Sequence, residues 1–263
     1  MRRIEPVLAS GEQLTVYHTR RISRGWPRSP KPTAETLAPD LRSDEAEIGS
    51  RVSQLEARSR RLIVDWDVHH GNGTRAAFWA DPSVLFISLH QDDLYPPGWG
   101  ATDQVGIGEG EGFTVNVPLP AGTGNRDYAE AFATIVVPIA RQFDSDLVIV
   151  SAGQDASVFD SLARMSLTLA GYRAMTEAMM AVAAECCEGR LVVTQEGGYA
   201  LQYAPYCSAR VAQTLVGLLP DGEWIADPYG ERAATQPASV ELGLDAASPI
   251  ERVVAVQQRY WPI

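Results

Sequence analysis

The residues best suited to chemistry lie in one stretch, residues 62–73, which reads LIVDWDVHHGNG. It begins with three apolar residues, typical of a buried parallel strand, and then becomes polar. Because side chains alternate along an extended chain, Asp65, Asp67 and His69 project to one side. A carboxylate and an imidazole at this spacing can bind one divalent metal; zinc suits them, as do iron, cobalt and manganese. The stretch therefore predicts a metal site that needs a third ligand from elsewhere.

Two further segments offer groups that could complete the site. Asp155 and Asp160 follow an apolar run at residues 147–150, and either acid could be the third ligand. Two carboxylates and one histidine leave positions open for water and a substrate oxygen, which is the catalytic pattern. Tyr199 follows two glycines, where its phenol could donate a hydrogen bond to a developing oxyanion. Taken alone, Tyr199 is better explained as a packing residue and Asp160 as a solvated loop acid.

The elements that must position these groups alternate along the chain. Apolar runs predict strands at residues 62–64, 84–90, 113–117, 147–150 and 191–194. Helical spacing predicts helices near residues 74–79, 127–143, 169–186 and 208–219, and a last one that begins at residues 248–251. This order predicts an α/β fold, a mainly parallel sheet with helices on both faces in a single domain. Ligands of such sheets bind at the carboxyl ends of the strands, where the polar clusters lie. We expect Pro118 to end the third strand and Pro138 to kink the second helix.

Composition narrows the function classes. The 263 residues carry a net charge of −11, which argues against nucleic-acid binding and is compatible with cationic substrates. Three cysteines without a spacing pattern do not indicate a disulfide framework or a cysteine zinc site, so a reducing cytoplasm is expected. No leader-like segment and no membrane-length apolar run is found, which predicts no membrane association.

The first 50 residues are the least regular part of the sequence. Residues 7–22 alone could form a regular element, residues 23–50 look like a loop, and residues 48–60 are weakly helical. We therefore expect residues 1–50 to be a poorly defined amino-terminal segment and residues 51–263 to form the α/β domain.

Five ordered motifs give the chain a family resemblance: DWDVHHGNGT, ISLHQDD with YPPG, NVPLPAGTG, SAGQDASVFDSLARM and QEGGY. Over about residues 55–230 the chain resembles the zinc-dependent histone deacetylases, and most closely their bacterial class II members, which are similar to acetylpolyamine amidohydrolases. The resemblance implies an arginase-like fold and hydrolysis of an acetyl amide on a lysine or polyamine.

The resemblance also implies roles for individual residues. Asp67, His69 and Asp160 match the family's zinc ligands, and Tyr199 matches its oxyanion-stabilising tyrosine. A structural monovalent cation, K⁺, is implied at Asp65, with the backbone of Asp67 and His69 and with Ser88 and Leu89. Part of a second such site is implied at the carbonyls of Phe78, Asp81 and Val84. A substrate channel is implied at Tyr95, Gly153 and Gly198.

The chain departs from the family in its histidines. Family members carry two adjacent histidines upstream of the metal strand, which act as general base and acid. This chain has four histidines, at positions 18, 69, 70 and 90, and none forms such a pair. Gln154 and Ser161 also replace the family's usual aromatic residue and proline. A block of the amino-terminal half therefore looks deleted, which would lower turnover and leave one flank of the sheet open to homo-oligomerisation.

Two alternatives to an active deacetylase stay open. One is an impaired member of the family that binds zinc and acetylated ligands without efficient turnover. The other is an arginase-type hydrolase with two manganese ions, which would need more Asp and His ligands than the sequence offers around Asp67.

Overall fold

The structure is a computed structural model and describes residues 60–217, 226–230 and 248–263. The predictions for residues 1–59, including His18 and the domain boundary at residue 51, lie outside the described residues. Within the described ranges, no helix is long and apolar enough to cross a membrane.

The centre of the fold is a five-stranded sheet in the order β3-β2-β1-β4-β5. All four strand pairs are parallel, so the predicted parallel sheet is confirmed. The strands are β1 (Arg61–Asp65), β2 (Val84–Gln91), β3 (Thr114–Leu119), β4 (Leu147–Ala152) and β5 (Leu191–Gln195). The stretch that is predicted to bind a metal begins with β1, which lies in the middle of the sheet.

Helices connect and follow these strands. They are α1 (Asn72–Phe78), α2 (Asn125–Ala131), α3 (Val137–Phe143), α4 (Leu169–Cys187), α5 (Ala204–Val216) and α6 (Pro249–Gln257). A 3₁₀ turn lies at Gly108–Gly110 in the loop before β3. The predicted cap of α6 is confirmed: the Ser248 hydroxyl accepts a hydrogen bond from the Glu251 N–H, and the Glu251 carboxylate accepts one from the Ser248 N–H.

The two proline predictions had different outcomes. Pro118 does not end its strand, because β3 lies at the sheet edge and continues to Leu119. The carbonyls of Phe113 and Leu119 face β2, so by alternation the nitrogen of Pro118 faces outward, where no N–H is needed. Pro138 does interrupt its helix: a π-helical turn at Phe132–Val136 separates α2 from α3.

Both faces of β1 are buried. Leu62 and Val64 lie in the main core, which includes residues of α2, α3, α4 and α5. Ile63 faces a smaller apolar cluster on the opposite side, with Phe78 of α1 and Phe86 of β2. Each such side chain stabilises the fold by about 1.5–3 kcal/mol when it is fully buried. The polar segment after β1 therefore follows a strand that is buried on both faces.

Candidate metal centre

Asp67, His69 and Asp155 converge at the carboxyl ends of β1 and β4. Each offers one ligand atom, and the three atoms lie within 4.8 Å of one another. The Nδ1 atom of His69 is 3.0 Å from an oxygen of Asp67 and 3.0 Å from an oxygen of Asp155. The side chains of His69 and Asp67 are partly accessible, whereas that of Asp155 is 0% exposed.

Backbone hydrogen bonds hold the polar segment in place. The carboxylate of Asp65 accepts from the N–H of Asp67 at 3.0 Å, and that of Asp67 accepts from the N–H of His69 at 2.9 Å. Asp155 accepts from the N–H of Val68 at 2.9 Å, so the loop after β4 is fixed to the segment after β1. Backbone geometry alone therefore directs these carboxylates toward one another.

Two glycines let the backbone pass close to the acids. A Cβ atom on Gly153 would lie 2.4 Å from an Asp67 oxygen, and one on Gly197 would lie 2.3 Å from an Asp155 oxygen. Neither position could carry a side chain without displacing a carboxylate. Gly197 also donates its N–H to Asp67 at 2.9 Å. Gly153, expected in the substrate channel, thus lies directly against the candidate ligands.

The local charges are strongly coupled. Burial opposes protonation of His69, but its hydrogen bonds to Asp155 and Asp67 outweigh this and raise its pKa to about 10. Burial raises the pKa of Asp155 to about 6 against the influence of His69. Burial also opposes ionisation of Asp67, yet the hydrogen bonds from His69 keep its pKa below the usual value. Without a metal, one proton on His69 is shared between two carboxylates.

This arrangement fits a transition metal. Two carboxylates and an imidazole are a donor set that zinc accepts, and a cation can take the place of the proton that they share. Within the residues that the structure describes, Asp67, His69 and Asp155 form the group of acidic and histidine side chains that has metal-ligand spacing. The expectation of a site that could hold a metal ion is therefore met.

Asp160 lies outside this cluster in the structure. One of its oxygens accepts from the N–H groups of Tyr199 at 2.7 Å and Ala200 at 3.1 Å, and the other accepts from the N–H of Leu162 at 2.9 Å. Asp160 therefore fixes the backbone of the Gly-Gly-Tyr turn. Its role as third ligand stays a prediction.

Tyr199 lies beside His69, one of the candidate metal ligands. Its ring is 6.3 Å from that of His69 in an edge-to-face arrangement, and 48% of the residue is exposed. Burial, followed by the charges of Asp67 and Asp155, raises the pKa of Tyr199 to about 12. The phenol therefore keeps its proton near neutral pH and can donate a hydrogen bond. Gly198, with φ of 150°, provides a backbone conformation that L side chains rarely adopt.

His70 and His90 are buried behind the candidate ligands. Nε2 of His70 is 3.0 Å from Asn116, and the two nitrogens of His90 contact Ser88 and the carbonyl of Gly100. Burial lowers the pKa of His70 to about 4 and that of His90 to about 3. Both rings are neutral near pH 7 and serve as packed hydrogen-bonding groups.

The expected monovalent-cation residues lie around β1 and β2. Asp65 is buried, and the hydroxyl of Ser88 is 3.0 Å from His90. The carbonyls of Phe78 and Asp81 accept hydrogen bonds from the N–H groups of Asp81 and Val84. Cation binding at these positions stays a prediction, as does the channel role of Tyr95, which is 60% exposed.

The structure adds a polar network that the sequence did not suggest. Gln154 is buried, contacts the side chain of Gln195, and accepts from the hydroxyl of Ser208 at 3.1 Å. Its backbone N–H donates to the carbonyl of Gly197 at 2.7 Å. The departure at Gln154 thus connects β5 and α5 to the site. Its only signal in the sequence was a polar residue at a position where the family has an aromatic one.

Comparison with known proteins places this geometry in context. Residues 47–215 match the family profile described as "Histone deacetylase domain". A histone deacetylase-like amidohydrolase of Pseudomonas aeruginosa is 42% identical over 176 residues, which are 66% of this chain and 46% of that protein. Histone deacetylase 15 of Arabidopsis thaliana is 39% identical over 224 residues, which are 83% of this chain and 37% of that protein.

A solved structure shows the same fold. The crystal structure of the HDA15 HD domain aligns with a TM-score of 0.65 and 37% identity, covering 82% of this chain and 55% of that one. The arginase/deacetylase-like fold class is therefore confirmed. The chain spans less than half the length of the two curated relatives named above.

Proposed function

We propose that this chain, which belongs to the histone deacetylase domain family, binds one zinc ion and hydrolyses an acetyl amide, releasing acetate and a free amine. The observation that carries the proposal is the convergence of Asp67, His69 and a buried aspartate beside the protonated phenol of Tyr199. An acetylated lysine or polyamine is the proposed substrate, because its amine product is cationic and the chain carries a net charge of −11.

Asp67 and His69 would hold the metal, and two acids of the next loop are candidates for the third position. The contact between Asp155 and Nδ1 of His69 favours Asp155. Asp155 is fully enclosed, which a ligand can be, because only the open coordination position of the metal must face the substrate. The family resemblance implies Asp160 instead, but in the structure the oxygens of Asp160 accept backbone N–H bonds outside the cluster.

We therefore propose Asp155 as the third ligand and give Asp160 the role of holding the turn that carries Tyr199. Asp67 and Asp155 each lie 3.0 Å from Nδ1 of His69, so one metal ion beside that nitrogen could reach all three side chains. Asp160 accepts N–H bonds from Tyr199, Ala200 and Leu162 and so supports the site without binding the metal.

The chain's own residues would do the following. When bound, zinc supplies polarisation of the amide carbonyl and activation of a water molecule. Tyr199 donates its hydroxyl proton in a hydrogen bond to the developing oxyanion, which its raised pKa permits. The N–H of Gly197 holds Asp67, and the carboxylate of Asp160 holds the turn that carries Tyr199.

Neither histidine next to the candidate ligands is placed to act as a general base. His70 and His90 are buried and neutral, and both contact other groups, so neither faces the opening as an acid–base residue. A positioned acid–base group contributes about 10²–10⁴ in rate. We therefore expect turnover of this chain to fall, by about that factor, below that of family members that carry the two adjacent histidines.

Metal analysis combined with a deacetylation assay tests the proposal. We expect one equivalent of zinc and slow release of acetate from an acetyl-lysine peptide or acetylated polyamine. Zinc binding with no turnover above a zinc-free control would favour the impaired alternative, in which the chain only binds acetylated ligands. Two equivalents of manganese would contradict both hypotheses.

A further inference from the structure

β5 ends the sheet with an edge that the described residues leave open. It pairs with β4 on one side, and no described backbone group pairs with the other. None of its five residues is fully buried, and Val192 is 41% exposed. An open edge of this kind can pair with another strand.

The opposite edge of the sheet is closed. The N–H of Thr114 in β3 donates to the carbonyl of Val105, and Pro118 has no N–H to offer. All six residues of β3 are buried. Protection by a covering loop and by proline is the usual way in which an edge strand avoids pairing. The two edges of this sheet therefore differ in their capacity to bind another strand.

The hydrogen bonds of β5 define which of its residues face outward. The carbonyl of Arg190 accepts from β4, and the N–H of Glu196 donates to β4. In a parallel strand the two backbone groups of a residue point the same way and successive residues alternate. The N–H and C=O groups of Leu191, Val193 and Gln195 therefore point away from the sheet.

This pattern is symmetric about Val193. In an antiparallel pair of two β5 strands centred there, Val193 lies opposite Val193, and Leu191 lies opposite Gln195 of the second copy. Each such pair exchanges two N–H···O bonds, about six in total. The spacing of the outward groups is thus self-complementary, as a two-fold interface requires.

The charges flanking β5 match the same register. Arg190 lies opposite Glu196 of the second copy, and the two-fold axis repeats this pair. The side chain of Arg190 is 51% exposed and lies 3.4 Å from Glu188 of its own chain, and Glu196 is exposed and accepts a hydrogen bond from the Thr194 hydroxyl. The pair across the interface would share or replace these contacts. Opposite charges directly across an antiparallel pair stabilise it. An acidic chain would otherwise repel its copy, so this local match selects the register.

We propose that two copies of this chain associate through β5, in an antiparallel pair centred on Val193, to form one continuous sheet. The interface adjoins the candidate active site, because Gly197 follows Glu196 and donates its N–H to Asp67. Pairing would restrain the strand end from which the Gly-Gly-Tyr turn begins.

Sedimentation velocity of the full chain over about a hundredfold concentration range tests the association. We expect a concentration-dependent dimer. Arg190→Glu and Glu196→Arg should each raise its dissociation constant about tenfold or more, because each turns two attractive pairs into two repulsive ones. The double variant should restore the wild-type constant. Thermal unfolding of each variant shows whether its fold is intact.

Disulfide trapping tests the register. Val193→Cys should form a cross-link between two copies, because residues opposite each other in a hydrogen-bonded pair are about 5.5 Å apart at Cα. Gln195→Cys is the matched control and should not, because its counterpart lies several residues away along the pair. Peptide mapping distinguishes this bond from bonds of the natural cysteines. The proposal is overturned if the chain is a monomer at every concentration, as it would be if its own residues occupied the edge of β5. It is also overturned if the Gln195→Cys variant cross-links and the Val193→Cys variant does not.

Discussion

Replacing Asp155 and Asp160 one at a time by asparagine separates their roles at the metal site. Both changes remove one charge and keep the size of the side chain. In Asp160→Asn, the amide oxygen of the new side chain can still accept from the N–H groups of Tyr199 and Ala200, which hold the Asp160 carboxylate in the wild type. We expect Asp160→Asn to keep stoichiometric zinc and to lower turnover only as far as the turn that carries Tyr199 shifts, because Asp160 supports the turn and is not a ligand in the proposal.

Asp155→Asn should have the larger effect. The Asp155 carboxylate lies beside Nδ1 of His69 as Asp67 does, so its replacement removes a ligand charge and should abolish stoichiometric zinc binding together with turnover. Loss of a supporting carboxylate such as Asp160 typically weakens metal affinity only about 10–100-fold, or about 1.4–2.8 kcal/mol. Competition for zinc with a chromophoric chelator measures both variants on one scale.

Two control variants give the lowest and the highest zinc affinity that we expect. His69→Ala should remove the metal completely, since a ligand atom is lost. Asp103→Asn removes one exposed charge away from the cluster and should bind zinc like the wild type. If Asp160→Asn loses the metal while Asp155→Asn keeps it, Asp160 is the third ligand, as the family resemblance implies, and the assignment of Asp155 is wrong.

Three further predictions follow from the described contacts. Tyr199→Phe should lower turnover about 10²–10³-fold, the usual loss of one oxyanion donor, with zinc content unchanged; equal rates would make Tyr199 a packing residue. Asp65→Asn should lower the thermal unfolding temperature while zinc persists, because this buried carboxylate holds the N–H of Asp67; loss of zinc at full stability would contradict it. In the metal-free protein, His70 and His90 have lowered pKa values of about 4 and 3, so the stability they contribute is present above pH ~6.5 and falls as the pH is lowered, by up to about 1.4 kcal/mol per pH unit for each ring. The raised pKa values of Asp155, about 6, and of His69, about 10, act in the opposite sense between pH 7 and pH 5, and urea unfolding at these two pH values should still show a net loss; no loss would contradict the neutral, buried state of both rings.

Local patterns predicted the part of the site that local structure builds. Asp67 and His69 follow a strand that is buried on both faces, so alternation along the chain was enough to place their side chains together. The strands flanking β1 were predicted for the same reason, since parallel strands buried on both faces are short apolar runs.

Contacts between distant segments decided what sequence patterns could not. Asp155 and Asp160 lie in one loop with similar surroundings in sequence. They differ because one accepts from Val68, 87 residues away, and the other from Tyr199, 39 residues away. Pro118 was misplaced as a strand end because the edge position of β3 depends on the order of strands in the sheet. Neither distinction is encoded by the residues adjacent in sequence.

The same long-range contacts connect metal binding to the position of Tyr199. The turn that carries Tyr199 is held at both ends by acids of the site: Gly197 donates to Asp67, and Tyr199 and Ala200 donate to Asp160. A metal that draws charge from Asp67 must weaken the hydrogen bond from Gly197, because the acceptor oxygen then shares its electron density with the cation. Under the proposed function, zinc binding would therefore change the position of the Tyr199 phenol. Among the described residues this phenol is the candidate donor to the oxyanion, so turnover would depend on its position as well as on the metal.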